Sequence, residues 1–247
     1  LGMQFDDQRS EPFVGASGVI HPLLGEAVTQ FQAQAYKELL PSNGPVKTQV
    51  IGAYDSVIEE QAQRVREYMN YEILHVMKEY DPDLDQLLFY LPLSGSAFKK
   101  VYYDQTMGRA VAQFIPAEDL IVPYEATDLE SCIRVTHRVK MPLNEIRKLQ
   151  ASGFYSAVKV EGGDVFDTSE IKEEIDKLQG VEPNDYGSGD DDIVTLYEIH
   201  TNLDIEGFED ISDTGETTGI KLPYIVTLDL NSNNLLSIRR NWNNTDP

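Results

Sequence analysis

At 247 residues, with 41% apolar and 25% charged side chains, the chain has the composition of a folded protein of one large or two small domains, which excludes wholesale disorder. The longest apolar runs, such as LLFYL at 87–91, fall far short of the roughly 20 residues of a spanning helix, and no basic-then-apolar leader is seen, so neither a membrane span nor a secretory signal is expected. A net charge of −22 repels phosphate backbones and disfavours a tight, counterion-releasing grip on nucleic acid, while leaving room for DNA to pass loosely along an acidic surface.

In chain order, residues 1–18 (LGMQFDDQRSEPFVGASG) lack periodicity and read as an irregular arm. From Val19 to Leu40, Ile20, Leu23, Leu24, Ala27, Val28, Phe31, Ala35 and Leu39 recur at three and four, the spacing of one buried helical stripe. PSNGP at 41–45 ends that helix, because proline removes a donor and biases the residue before it towards extended backbone. A second helix is expected over Tyr54 to Tyr80, its apolar face formed by Tyr54, Val57, Ile58, Ala62, Val65, Tyr68, Met69, Ile73, Val76 and Met77. Unbroken, it would be a strut of roughly 40 Å. A third, Asp83 to Leu91, opens on acidic groups suited to the helix dipole and is expected to stop at Pro92 and Gly95.

The period then changes from helical to extended. Ala97–Tyr103 and Arg109–Ile115 read as strands joined by the turn DQTMG, with Val101, Tyr103, Val111, Phe114 and Ile115 expected to pack and Pro116, Glu118, Asp119 and Pro123 to shape a rigid loop. Cys132 to Met141 alternates: Ile133, Val135, His137, Val139 and Met141 on one face, Arg134, Thr136, Arg138 and Lys140 on the other. Short helices follow at 142–150 and 169–179, then two extended runs at 192–202 and 222–241, the latter a hairpin around NSNN. Acidic, turn-rich segments at 180–192 and 204–219 read as solvated loops. Helices first and strands afterwards define an α+β fold, divided into a helical lead-in (1–94) and a β-rich, mostly antiparallel region (95–247).

Charge is unevenly placed. Residues 1–94 carry −8 and 151–247 carry −15, whereas 95–150 carry +1. The basic residues of that middle segment, Lys99, Lys100, Arg134, Arg138 and Lys140, are therefore the candidate subunit-interface or DNA-facing positions. They form either a solvated sheet face or a patch that docks on an acidic surface of an identical subunit, and head-to-tail contacts of that kind close into rings.

Motifs for covalent chemistry are missing: no phosphate-cradling G-x-x-x-x-G-K-S/T or G-x-G-x-x-G and no nucleophile elbow G-x-S-x-G occurs. His21, His75, His137 and His200 lack the helical spacing of a zinc pair, and His137, on the apolar face of its strand, is expected to be a hydrogen-bonded core histidine. In DIEGFEDISDTGE the glycine falls at the fourth position where a calcium loop needs it at the sixth. Asp167, Glu170 and Lys172 fail a nuclease pattern because their segment has helical period, and NNT at 243–245 matches a glycosylation sequon by chance. No metal, cofactor or catalytic residue is expected. One cysteine, Cys132, leaves no internal disulfide, as suits a reducing cytoplasm.

The order of segments from LLFYLPLSGSAFKKVYYD through AVAQFIPAEDLIVPYEATDLESCIRVTHRVKMPLNEIRKL resembles the wing region of portal proteins of tailed bacteriophages, in particular the larger portals of podophage type. In that family a helical lead-in precedes a Gly-small-aromatic-Lys-Val-Tyr-Asp strand, an Ile/Val-Pro-x-Glu-Asp loop, a strand rich in Arg and His, and a proline-initiated helix. The helix over Val19–Leu40 and the one carrying REYMNYEILHVM look like the lead-in, and IVTLDLNSNNLLSIRRNWNNTDP looks like the hairpin leading towards the tunnel. The two acidic segments have no counterpart in the pattern. The resemblance implies a non-catalytic, usually dodecameric ring at one capsid vertex of the virion, assembled in the host cytoplasm. Double-stranded DNA would pass through it without sequence readout, and terminase, scaffolding or capsid proteins and tail adaptors would dock on it. Channel-lining elements would mostly follow residue 247. The alternatives are another head–tail connector and an acidic hydrolase whose carboxylates the sequence does not single out.

Overall fold

The computed structural model describes residues 22–52, 55–104, 107–160, 193–212 and 215–241. The arm at 1–18, the helix expected at 169–179 with the Asp167, Glu170 and Lys172 pattern, the acidic loop at 180–192 and the sequon lie outside or almost wholly outside these residues. The fold is α+β, and the chain divides into two compact units at Ala117/Glu118.

The first unit holds helices α1 (Leu23–Leu39), α2 (Ser56–Tyr71) and α3 (Tyr80–Ser94) and the antiparallel hairpin of β1 (Ala97–Asp104) and β2 (Arg109–Pro116). The sequence boundary at 94/95 places this hairpin with the later strands; by contacts it groups with the helices, because α3 packs on both of its strands. The Tyr90 and Phe114 rings meet at 5.2 Å, and the Phe114 amide donates to Asp83 Oδ2 at 2.7 Å. α1 packs on α3 through buried Val28, with Gln32 Nε2 donating to Asp85 Oδ1 at 2.7 Å and the Tyr36 hydroxyl donating to Asp81. That carboxylate pushes the Tyr36 pKa up to about 12.

Two helical expectations are corrected. The single helix over Tyr54–Tyr80 is broken: α2 ends at Tyr71, a π turn occupies Glu72–Val76, and Met77 leaves helical geometry before α3 starts. The straight part is therefore about 24 Å, not 40 Å. α3 in turn runs through Pro92 to a left-handed Gly95. Pro92 sits in the final turn, where its missing N–H forfeits one bond, and Gly95 N–H still reaches Leu91 O at 3.0 Å.

The second unit is a five-stranded antiparallel meander, β3 (Leu120–Ile121), β4 (Arg134–Pro142), β5 (Ile193–Leu203), β6 (Leu222–Asp229) and β7 (Leu235–Arg240), in sequential order. Helix α4 (Leu143–Ala151) lays Ile146 onto one sheet face, where Tyr155, Val194, Leu196 and Leu236 are also buried and Val139 and Met141 pack against them. The chain after α4 is tied to β7: Ser156 N–H donates to Leu236 O at 2.7 Å, and Asn234 Nδ2 to Lys159 O at 3.1 Å. The β6–β7 turn closes on Asp229, fully buried, whose carboxylate accepts from the Asn231 amide and the Ser232 hydroxyl, while Asn233 takes a left-handed φ of 54°. Asparagine tolerates that backbone better than most residues.

Candidate subunit interface

The five basic positions fall in both units. Lys99 and Lys100, adjacent on β1, project to opposite faces of the hairpin. Lys99 Nζ lies 3.8 Å from the centre of the Tyr80 ring, and desolvation there lowers its pKa against the opposing pull of Asp83. It is thus committed to α3. Lys100 lies over Tyr102 at 5.3 Å.

On β4, Arg134, Arg138 and Lys140 share a face, as alternation requires, and the strand register sets them opposite Thr201, Tyr197 and Thr195 of β5. The same register carries this face across to Tyr224 and Arg240, so the basic row gains a member from β7 that the linear sequence does not join to it. Arg138 is not a bare surface charge. Its Nε donates to Asp119 Oδ1 at 2.7 Å across the β3–β4 corner, with side chains only 28% and 21% exposed. Arg134 is exposed. The expectation that Ile133, Val135, His137, Val139 and Met141 line a buried face holds unevenly: Ile133 lies outside the strand and is 79% exposed, whereas His137 is buried as expected, and Thr136, expected on the basic outer row, is buried as well.

The hairpin also departs from its expected packing. Val111 and Ile115 are buried and Phe114 packs on Tyr90, but Val101 and Tyr103 are exposed by 67% and 65%. α2 behaves similarly. None of its residues is buried, and Val57, Ile58, Val65, Tyr68 and Met69, read as a core stripe, stand open. The Tyr68 hydroxyl bonds to Glu72, and with Tyr103 and Tyr71 also close its pKa is raised. An exposed aromatic patch therefore spans α2 and the end of β1. The amphipathic signal that announces a core helix announces a docking helix equally well, which is why the sequence does not separate the two.

A polar cluster that the sequence scatters also assembles in the second unit. His137 sits opposite Glu198 in the β4–β5 register, and Glu198 Oε1 is 2.8 Å from His200 Nε2. Tyr155 feels both Glu198 and Arg239, while burial, the dominant effect, raises its pKa. Among the described residues, no grouping of His, Cys, Asp or Glu has metal-binding geometry, and no helix is long and apolar enough to cross a membrane. Neither the family models nor the curated proteins searched contain a match to this chain.

Proposed function

We propose that the protein is a structural subunit of a bacteriophage portal ring, set at a capsid vertex, through which DNA is packaged and ejected and on which terminase and tail or head-completion proteins dock. The observation that carries this reading is the order of segments: a helical lead-in, a lysine-bearing hairpin, an Arg- and His-rich strand, a helix opened by Pro142, and a closing hairpin, the order seen in podophage-type portals. Its work is then mechanical. Exposed apolar side chains on α2 and β1, and a basic sheet face on a chain of net charge −22, supply unlike surfaces of the kind that head-to-tail assembly joins.

The test is the mass of the assembled particle. Mass photometry and negative-stain microscopy of the protein expressed at full length are expected to show a ring of about twelve protomers, the usual closure of such heterologous contacts in this family. A protein that stays monomeric at micromolar concentration, or that forms only two-fold dimers, overturns the reading.

A further inference from the structure

The first unit contains a cleft that the ring reading does not use. About 650 Å³ in volume, it lies between the segment after α1 and the outer side of α2 and its π turn. That volume is within the range of small-molecule sites. Its construction is specific. Asn70 of α2 uses its whole carboxamide on one residue, accepting from Val46 N–H at 2.9 Å and donating to Val46 O at 3.2 Å, while Thr48 Oγ1 donates to Ala62 O at 3.0 Å. Gly44, buried with φ of 89°, lies so close to Asn70 that a Cβ would overlap the carboxamide. The 44–48 segment is therefore pinned along α2, and the cleft is part of the folded unit.

Its lining has a consistent chemistry. Arg66 and Asn70 lie one helical turn apart on α2, and Leu74 follows at the same spacing. Lys47 enters from the pinned segment, and the π turn presents His75, whose ring lies 5.6 Å from that of Tyr71. π turns recur at functional sites because the extra residue re-aims the side chains that follow. In a chain of net charge −22, Lys47 and Arg66 converge here with no ion-pair partner among the described residues. The one carboxylate of the lining, Glu67, accepts from Gln63 Nε2 at 2.8 Å.

The geometry points to a binding site for a nucleoside phosphate, its phosphate held by Arg66 and Lys47 and its base stacked on the Tyr71 ring with His75 at its edge. A guanidinium and an ammonium together match a dianionic phosphate better than a single carboxylate, and the exposed Tyr71 ring, with His75 tilted at 44° beside it, supplies a face on which a base stacks. This inference does not depend on the portal reading. The phosphate could belong to a free mononucleotide or to the end of a single strand, and the two sources are separable.

The experiment titrates the full chain with adenosine monophosphate, adenosine and inorganic phosphate by calorimetry, and follows Tyr71 and His75 by NMR. Saturable binding of the monophosphate is expected, with adenosine and phosphate alone each weaker by about tenfold or more. Arg66→Gln and Lys47→Gln are each expected to weaken it about tenfold, while Arg64→Gln, on α2 but outside the cleft, leaves it unchanged. A 5′-phosphorylated single-stranded decamer that binds more tightly than the monophosphate, and loses that binding in the same two variants, assigns the site to a strand; equal affinity assigns it to a free nucleotide. Lack of saturable binding by the monophosphate at millimolar concentration, or equal weakening by Arg64→Gln, overturns the proposal.

Discussion

Charge reversal at Arg138 is the most direct probe of the basic sheet face, and the structure shows why it must be read against a compensated control. Arg138 Nε and Asp119 Oδ1 are 2.7 Å apart with both side chains mostly shielded from water, so the bond belongs to the fold as well as to the surface. Removing the charge with Arg138→Gln forfeits one charge-assisted hydrogen bond, about 1–2 kcal/mol after solvent screening. Arg138→Glu goes further and sets two carboxylates against each other. At an effective dielectric constant of about 20, two such charges roughly 4 Å apart repel by up to ~4 kcal/mol, much of it relieved by side-chain rotation, for a total of about 2–4 kcal/mol. In a unit of this size that lowers the melting temperature by on the order of 10 °C. The assay is urea and thermal denaturation of both variants and of the exchanged pair Arg138→Asp with Asp119→Arg, alongside particle mass. The exchanged pair is expected to regain most of the stability but not the assembly, since the charge offered to a neighbouring subunit has moved to the β3 corner. If Arg138→Glu destabilises by less than about 0.5 kcal/mol, the ion pair is not a structural tie; if the exchanged pair restores ring formation, Arg138 serves only its own subunit.

Four other outcomes follow from particular contacts. Ile146→Ala empties a fully buried position between α4 and the sheet and is expected to cost about 2–5 kcal/mol in urea titrations, with Ile146→Val nearer 1. Gly44→Ala forces a side chain into left-handed backbone and into Asn70; a loss of more than about 1 kcal/mol is expected, together with loss of any ligand bound in the adjacent cleft. The Glu79 carboxyl is held below the ordinary glutamate range first by the hydrogen bond from Arg109, whose Nη1 lies 2.7 Å from Glu79 Oε1. Its contribution is therefore present above the unfolded-state pKa and lost as pH falls through the folded one, so Glu79→Gln should cost most at neutral pH, converge with the parent below the folded pKa and thereby flatten the acid limb of a stability–pH profile measured by urea titration. Val57→Ser combined with Val65→Ser should leave monomer stability within about 0.5 kcal/mol, because neither side chain is buried, yet reduce assembly measured by particle mass.

Local signals carried most of the element positions, and what they missed was set by tertiary contacts. The strands of β1, β2, β4, β6 and β7 lie where alternation and turn residues place them, and the NSNN turn is visible because asparagine accepts the left-handed φ at Asn233. The π turn at Glu72–Val76 leaves no mark in composition: Ile73, Val76 and Met77 continue the apolar spacing of α2, so periodicity runs across a break that only hydrogen bonding defines. The ties that organise the candidate surfaces are equally non-local. Arg138 meets Asp119 across 19 residues, Arg109 meets Glu79 across 30, and Glu198 faces His137 only once the β4–β5 register is fixed. Which of the five lysines and arginines stayed open was thus a property of pairing, not of charge count: Lys99 turned to Tyr80 and Arg138 to Asp119, while Arg134 stayed exposed.

The way α2 is held bears on what its surface is for. An isolated helix of its length is marginal in water, and helices in folded units usually owe their stability to a buried apolar stripe. α2 has the stripe without the burial: Val57, Ile58, Val65 and Met69 are exposed, and its fixed points are instead Asp55 capping the Val57 amide, Thr48 on the Ala62 carbonyl, and Asn70 on the Val46 backbone. Polar straps of this kind fix position and register while contributing about 1 kcal/mol each. Under the ring reading proposed above, the apolar free energy of the helix is left for contact with a neighbouring subunit. A sequence that merely needed to complete a core could have replaced those residues with polar ones at no loss to the packing seen here, whereas a surface that must join another keeps them open.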